Sequence, residues 1–312
     1  MPANITHDFF GRDVLGAMSA MGLGGPIHGD QELKNTFLLG CQGPDPFFYA
    51  QLTSDFVAIK EFGSKMHKEK VDETLAALRR VCFSASKESR NLLTAYMLGY
   101  LCHFVLDSIM HPFVYAQQYA ICDAGVKKLD RSDGFSVHVF IEAELDMMML
   151  HRKFGYGLQQ CDIRKLVLDV SDETLSLLDN AYQALAHEVY CCALPAMSLS
   201  RGVKDMRMTL NILYSPTGIK RYLFGKVERL VRRHSLLQAM SPRNDVGDTS
   251  DFDNREKGEW ANPSTGKPST ESFDELYARA LDKVLRDAEA LIAGEPMSGI
   301  TQGLNFEGAP TA

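Results

Sequence analysis

The sequence predicts an all-α protein folded as a multi-helix bundle. Apolar residues recur at spacings of three and four along most of the chain, which is the periodicity of an amphipathic helix. Signals for β-strands are scarce. Hydrophobic residues make up 45% of the 312 residues, so the chain can bury a substantial core. The predicted helices cover residues 6–21, 31–40, 48–62, 68–82, 88–111, 136–152, 162–194, 200–213, 216–239 and 272–293.

Local signals set several helix ends. Gly155 and Gly157 break the chain after the 136–152 helix, and Pro216 is typical of the first turn of the next helical segment. Ser171, followed by two acidic residues, is typical of an N-terminal cap. The 162–194 segment can therefore consist of two helices.

Composition changes after the helical part of the chain. Residues 240–271 are polar and rich in Gly, Pro, Ser and Asp, which indicates a long loop, and the loop contains the only tryptophan, Trp260. An aromatic side chain in this position suggests that the loop docks on the protein. We therefore predict one domain, with a helical part at 1–239, the docking loop at 240–271, and a helix with a loose tail at 272–312.

Charge and cysteine content exclude several classes of protein. A formal net charge of -7 argues against a surface that coats nucleic acid. The seven cysteines form no CxxC pair and are expected to be reduced thiols, and the first residues do not resemble a signal peptide. No transmembrane segment is predicted, because no run of about 18 uninterrupted apolar residues occurs. We expect a cytoplasmic protein without a basic face or a Lys-rich amphipathic helix for bilayer binding.

Two predicted helices carry stripes of metal-ligand residues. In LCHFVLDSIMHP, residues 101–112, the polar groups recur every fourth position and share one helix face: His103, Asp107 and His111. The helix FSVHVFIEAELDMMMLH repeats the pattern with His138, Glu142 and Asp146. A histidine and a carboxylate one turn apart can reach the same zinc ion.

Apolar neighbours make a solvated face unfavourable for these stripes. A buried ionised carboxylate loses several kcal/mol of solvation free energy unless it is paired or binds a metal. A single His-x-x-x-Asp pair is more often a simple hydrogen-bonded pair, but two such helices together favour zinc. Asp146 is kept outside the ligand set, as a hydrogen-bond acceptor for a ligand histidine or a partner of a cation.

Several segments, in order, resemble the bacterial zinc-dependent phospholipase C family, and they span roughly residues 5 to 150. They read ITHDFFGRDV, LGCQGPDPFFY, GSKMHKEKV, LGYLCHFVLDSIMHPFV and HVFIEAELD. The later DFDNREKGEWANP segment also resembles a loop of intracellular relatives. The resemblance implies an all-α bundle with a three-zinc cleft, an architecture that related zinc nucleases share.

The resemblance implies a metal-ligand role for His7, Asp45, His67, His103, Asp107, His111, His138 and Glu142. It further implies that Asp107 bridges two ions, that the last three residues hold a separate zinc, and that Asp45 is the candidate general base. From the residues alone, three positions stay open. His7 can simply follow the capping residue Thr6, Asp45 can make local hydrogen bonds in its turn, and His67 looks like a surface histidine.

One departure from the family concerns the zinc that His7 would hold. Secreted members use the amino group and carbonyl of a mature N-terminal Trp as ligands, whereas this sequence has no Trp before residue 260. If Met1 is removed, the amine of Pro2 is a possible substitute. We therefore expect two zinc ions and a third that depends on such a terminal ligand.

These observations predict a zinc-dependent, phospholipase C-like hydrolase of phosphodiesters. Metal-activated water would attack a phospholipid or a soluble head-group ester, and Asp45 would take or orient the proton of that water. The alternatives are a nuclease-like phosphodiesterase, disfavoured by the charge balance, and a non-catalytic helical scaffold that binds zinc. An HD-type phosphohydrolase is disfavoured because His103 is not followed by Asp. No stable nucleic-acid complex is expected, and the sequence does not predict an oligomeric state.

Overall fold

The computed structural model describes residues 4–127, 129–155, 162, 169–229, 235–243 and 247–311. It confirms the all-α prediction. The helices are α1 Asn4–Ala20, α2 Gln31–Gly40, α3 Phe56–Lys68, α4 Val71–Ser84, α5 Lys87–Cys122, α6 Gly134–Phe154, α7 Asp172–Tyr190, α8 Ser198–Leu213, α9 Ile219–Glu228, α10 Leu236–Met240, α11 Phe273–Ala293 and α12 Met297–Thr301. Within the described ranges the only strands are β1 Trp260–Ala261 and β2 Pro268–Ser269, which pair antiparallel with Trp260 opposite Ser269.

The chain forms two compact units. The first contains Met1–Thr6, Ile109–Leu166 and Leu210–Ala278, and the second contains His7–Ser108, Val167–Thr209 and Arg279–Ala312. Helices α1, α5 and α11 contribute residues to both units. The expected division into 1–239, 240–271 and 272–312 stays a prediction.

Helices α2 and α5 approach each other closely in the second unit, at a pair of glycines. A Cβ atom on Gly40 would lie 2.3 Å from the carbonyl oxygen of Tyr96, and one on Gly99 would lie 2.0 Å from that of Phe37. Because both distances are far below van der Waals contact, only glycine allows this crossing. The crossing brings the segment that follows α2 beside the middle of α5.

Helix α5 is longer than the 88–111 helix expected from the sequence. It continues through Pro112 to Cys122, although proline removes one backbone donor. The residues that follow, Phe113 and Val114, are buried, so tertiary packing outweighs the local preference of proline. Among the described helices, α5 is the one that is long and apolar enough to cross a membrane. However, 89% of its most apolar window is buried inside the fold, as in a core helix.

Other boundaries also shift. The predicted 48–62 helix begins only at Phe56, because a 3-10 helix at Asp45–Phe48 and a turn occupy its first residues. The 68–82 helix begins at Val71, after Lys70 in the left-handed conformation with φ 55°. Ser171 caps α7 as expected, since its Oγ accepts a hydrogen bond from Thr174 N at 3.1 Å. The predicted helices 162–194 and 216–239 lie partly outside the described residues.

The C-terminal region and the described part of the polar loop contain regular structure that the sequence does not indicate. The loop contains the β1–β2 pair, and the ring of Trp260 packs on Phe113 with centroids 5.4 Å apart. Beyond α11, the sequence indicates a loose tail, but the structure contains α12 and fully buries Phe306. Phe306 is an isolated aromatic residue in a polar segment, so the periodicity of the sequence does not indicate its burial.

Candidate metal centres

The second unit brings together one group of three potential ligands from α1 and α5. Asp107 lies between two imidazoles, with Oδ1 3.1 Å from His7 Nε2 and Oδ2 3.2 Å from His103 Nε2. All three side chains are buried, and one ligand atom from each lies within 4.8 Å of the other two. This separation allows the three atoms to bind one ion.

A second group in the same unit shares His103 and adds Asp45 and His67. Asp45 belongs to a 3-10 helix, and its Oδ1 is 3.2 Å from Nε2 of His67, which α3 carries. Burial raises the pKa of Asp45, but opposing contacts, among them the hydrogen bond with His67 and the charges of both histidines, hold that pKa below its usual value. Asp45 is therefore an anion at neutral pH.

The segment before Asp45 wraps around His103. The Cys41 carbonyl accepts a hydrogen bond from His103 Nδ1 at 3.0 Å. Gly43 has φ 52°, and a Cβ atom there would lie 2.3 Å from Cδ2 of the His103 ring. A side chain at position 43 would thus strain the backbone and push the imidazole out of place.

Phe306 covers two of these histidines. Its ring centroid is 5.2 Å from that of His67 and 5.6 Å from that of His103, and its backbone N donates to the His67 carbonyl at 3.1 Å. Tyr100 and Phe104 contact the same ring. The C-terminal region therefore forms part of the apolar wall of this centre.

The first unit contains a separate group, formed by His111 of α5 and by His138 and Glu142 of α6. Glu142 Oε1 is 3.2 Å from His138 Nε2 and 3.5 Å from His111 Nε2. Burial raises the pKa of Glu142, but the charge of His138 and hydrogen bonds with both histidines hold that pKa well below its usual value. The predicted i, i+4 stripe on α6 thus converges with a residue of α5.

These groups fit zinc. His67, His103 and His138 each donate through Nδ1, to Gly63 O, Cys41 O and Gln118 Oε1, at 2.8, 3.0 and 3.0 Å. In a neutral imidazole, a donating Nδ1 leaves the lone pair on Nε2, and this is the form of a histidine that binds a metal through Nε2. In the part of the chain that the structure describes, buried His7 Nδ1 has no hydrogen-bond partner, and buried His103 Nε2 faces the Asp107 carboxylate at 3.2 Å. Imidazole nitrogen with carboxylate oxygen is a typical zinc donor set.

The comparison with family models decides the family. The model for zinc dependent phospholipase C matches residues 6–192.

The chain belongs to the zinc-dependent phospholipase C family.

The sequence resemblance is thereby confirmed, and the matched segment contains every candidate ligand. The comparisons with curated proteins and with solved structures found no match. The family is zinc-dependent, and the three groups of His, Asp and Glu could hold metal ions. The number of ions, and the ligand role of each of these residues, stay predictions.

Asp146 does not join the ligands in this family member. It accepts hydrogen bonds from Ile5 N at 3.2 Å, Thr6 N at 2.8 Å and Thr6 Oγ1 at 2.6 Å. Burial raises its pKa to about 7. Asp146 thus holds the first turn of α1, rather than a ligand histidine or a cation as the sequence suggested.

Two residues that contact candidate ligands of this zinc-dependent phospholipase C-like chain, Gln118 and Phe306, were not predicted from the sequence. Gln118 lies seven residues after His111 on the same helix, so helical spacing alone could have indicated that both share a face. Phe306 carries no such signal, because its partners are about 200 residues away in sequence. Of the aromatic residues next to Asp45, Phe47 and Tyr49 are core, and only Phe48 is partly exposed, with its ring 5.1 Å from His67.

Proposed function

We propose that this protein is a zinc-dependent phosphoesterase that hydrolyses a phosphodiester, in a phospholipid or in a soluble head-group ester. The observation that carries the proposal is the cluster around His103, where three imidazoles and two carboxylates converge from four separate segments. Membership of a zinc-dependent phospholipase C family supports the reaction class.

The charge of this cluster favours a phosphate substrate. Asp45 and Asp107 supply two negative charges, whereas two zinc ions would supply four positive ones. The site would therefore be cationic when loaded, although the whole chain has a formal charge of -7. When bound, zinc would neutralise charge on the phosphate oxygens and lower the pKa of a coordinated water.

The side chains of the cluster have separate tasks in this proposal. Asp45, which is ionised and lies beside His67, would accept a hydrogen bond from the attacking water and orient it. Its low pKa suits orientation and charge stabilisation better than full proton removal. Phe306 excludes solvent behind His67 and His103, whereas the partly exposed Phe48 could contact an apolar part of the substrate.

Hydrolysis of nitrophenyl phosphocholine by the zinc-loaded protein tests the proposal. We expect turnover that falls at least about 100-fold in Asp45→Asn while zinc bound to the other ligands is retained. Asp282→Asn, on the exposed side of α11, is the matched control and should keep full activity.

Hydrolysis rates on a panel of phosphate esters distinguish the proposed function from the two alternatives. Faster hydrolysis of oligonucleotides than of lipids or choline esters would favour the nuclease-like reaction. Full zinc occupancy without turnover on lipids, phosphodiesters and oligonucleotides would contradict an enzymatic role and leave a zinc-binding scaffold.

A further inference from the structure

Helix α9 in the first unit turns its polar side toward the protein and its apolar side toward solvent. Arg221 Nε donates to Ser241 O at 3.1 Å, and Glu228 Oε2 accepts from Ser235 Oγ at 2.9 Å. Gly225 is buried against α10, where a Cβ atom would lie 2.4 Å from Gln238 Oε1. The inward contacts of α9 thus include those of two charged residues and a glycine, and Phe224 on the same side is partly covered.

The outward side of α9 is apolar. Ile219, Tyr222, Leu223 and Val227 are between 51% and 65% exposed. At 100° per residue, these four side chains occupy about 140° of arc on one face of the helix. A surface helix of a globular protein normally shows the opposite arrangement, so this face is expected to have a partner.

Basic residues surround the apolar stripe. On the same helical projection, Lys220 lies just beyond one edge of the stripe and Lys226 lies within it. Arg229, the residue that caps the C-terminus of α9, lies beyond the other edge, and its guanidinium donates to Gln238 Oε1 at 2.9 Å. All three are exposed, and the Lys226 ammonium lies 4.7 Å from the centroid of the Tyr222 ring. The acidic residue of the helix, Glu228, points inward and is hydrogen-bonded there. This exposed face is therefore positive on a chain whose formal charge is -7.

We propose that the exposed face of α9 docks on an anionic lipid surface. An apolar stripe flanked by Lys and Arg is the arrangement by which a helix lies in the interface of a bilayer, with its apolar side chains among the lipids and its cations near the head groups. This proposal departs from the expectation, drawn from the sequence, that the chain has no Lys-rich amphipathic helix for bilayer binding. Docking is a property of this helix and does not depend on the proposed hydrolysis.

Charge favours a membrane over a second copy of the chain as the occupant. Two copies related by symmetry would bring Lys220, Lys226 and Arg229 against the same residues, which costs free energy unless acidic groups intervene. An anionic lipid surface meets the same three cations with opposite charge.

Flotation of the zinc-loaded full chain with vesicles tests the proposal. We expect binding to vesicles rich in phosphatidylserine, weaker binding to pure phosphatidylcholine, and loss of binding as salt is raised. Leu223→Glu/Val227→Glu should weaken binding by roughly tenfold or more. Lys220→Ala/Lys226→Ala/Arg229→Ala should weaken it by about fivefold for each cation removed.

Matched controls carry the same changes elsewhere on the surface. Val57→Glu/Ile292→Glu replaces two other exposed apolar residues, and Lys60→Ala/Lys87→Ala/Lys267→Ala removes three exposed cations. Both controls should bind like the parent chain. Diacylglycerol release, measured in the same samples, separates docking from hydrolysis, because docking without product supports this proposal and contradicts only the enzymatic one.

Three results would overturn the proposal. One is the absence of binding to phosphatidylserine vesicles by the folded parent chain. Another is an equal loss of binding in the α9 variants and their matched controls. The third is a dimer in sedimentation that Leu223→Glu/Val227→Glu converts to monomer, which would assign the face to a second copy.

Discussion

The imidazole rings of His7 and His103 are stacked, with centroids 4.2 Å apart and an angle of 26° between their planes. Two charged imidazolium rings would repel each other at this distance. Burial, and then the charge of His103, lower the pKa of His7, whereas both nearby carboxylates help to raise the pKa of His103. The stack therefore contains at least one neutral imidazole, which is the form that binds a metal.

Zinc content should depend more strongly on His103 than on His67. His103 belongs to both groups of the second unit, whereas His67 belongs to one. We expect His103→Ala to lower the zinc affinity of both groups, and His67→Ala to lower the zinc affinity of one group. The zinc content of each variant is measured by elemental analysis after dialysis against increasing concentrations of a chelator. His187→Ala, at an exposed position, is the control. Equal zinc contents in the two ligand variants would contradict the shared role.

Gln118 should increase the zinc affinity of the group formed by His111, His138 and Glu142 in the first unit. Its Oε1 accepts the Nδ1 proton of His138, so Gln118→Leu removes the group that fixes the tautomer and the ring orientation. Loss of such a partner typically lowers metal affinity about 10- to 100-fold. Gln117→Leu, one residue away with its amide bonded to Phe252 O, is the matched control. Chelator competition should separate the two variants; indistinguishable affinities would show that the hydrogen bond is unimportant.

Protonation of His103 has opposite effects on the stability of the zinc-free fold and on zinc affinity. Burial lowers the pKa of His103, but the charge of Asp107 and other contacts raise it above 6.5 in the balance. In the zinc-free protein this shift contributes stability that is complete below 6.5 and lost as pH rises through the raised pKa. Zinc binding needs neutral His103, so zinc affinity should rise over the same pH range.

Chelator competition between about pH 6 and about pH 8, paired with urea unfolding of the zinc-free chain, measures both trends. His28→Gln keeps the candidate centres intact and serves as the control, because His28 contacts only the nearby Leu23 carbonyl among the hydrogen bonds described for it. A zinc affinity that does not change with pH would refute the assignment of His103 as a ligand.

Asp146→Ala should destabilise the fold without removing a metal ligand. The change leaves the amides of Ile5 and Thr6 and the Thr6 hydroxyl without their buried acceptor. Unsatisfied buried donors typically cost about 1–3 kcal/mol each, so the loss of an acceptor for three donors should lower the free energy of unfolding by at least about 3 kcal/mol. Urea unfolding measures it against Glu289→Ala, which removes an exposed carboxylate. Equal midpoints would show that Asp146 does not anchor α1.

Sequence reasoning succeeded where a site lies along one helix. The pairs His103–Asp107 and His138–Glu142 follow from four-residue spacing, and the structure places both within each helix as expected. Asp45 and His67 come from loops and helices with no shared period, so only the family resemblance singled them out. Whether these residues bind zinc is a matter for the experiments above.

The errors share a physical origin in tertiary contact. Pro112 lies inside α5 because burial of the residues around it outweighs local preference. The α9 sequence is visibly amphipathic, but only the structure shows that its polar side faces the protein. Periodicity reports that a helix has two faces without reporting which one is covered.

The packing of Phe306 on His67 and His103 has a consequence for biosynthesis. A nascent chain that has emerged only as far as α11 already contains all five ligand-type side chains of this cluster, yet it lacks the ring that closes their inner wall. The finished geometry around His67 and His103 can therefore form only after residue 306 has been synthesised, well after α5. A ribosome-bound chain stalled before residue 306 would expose the histidines to water and to competing ions.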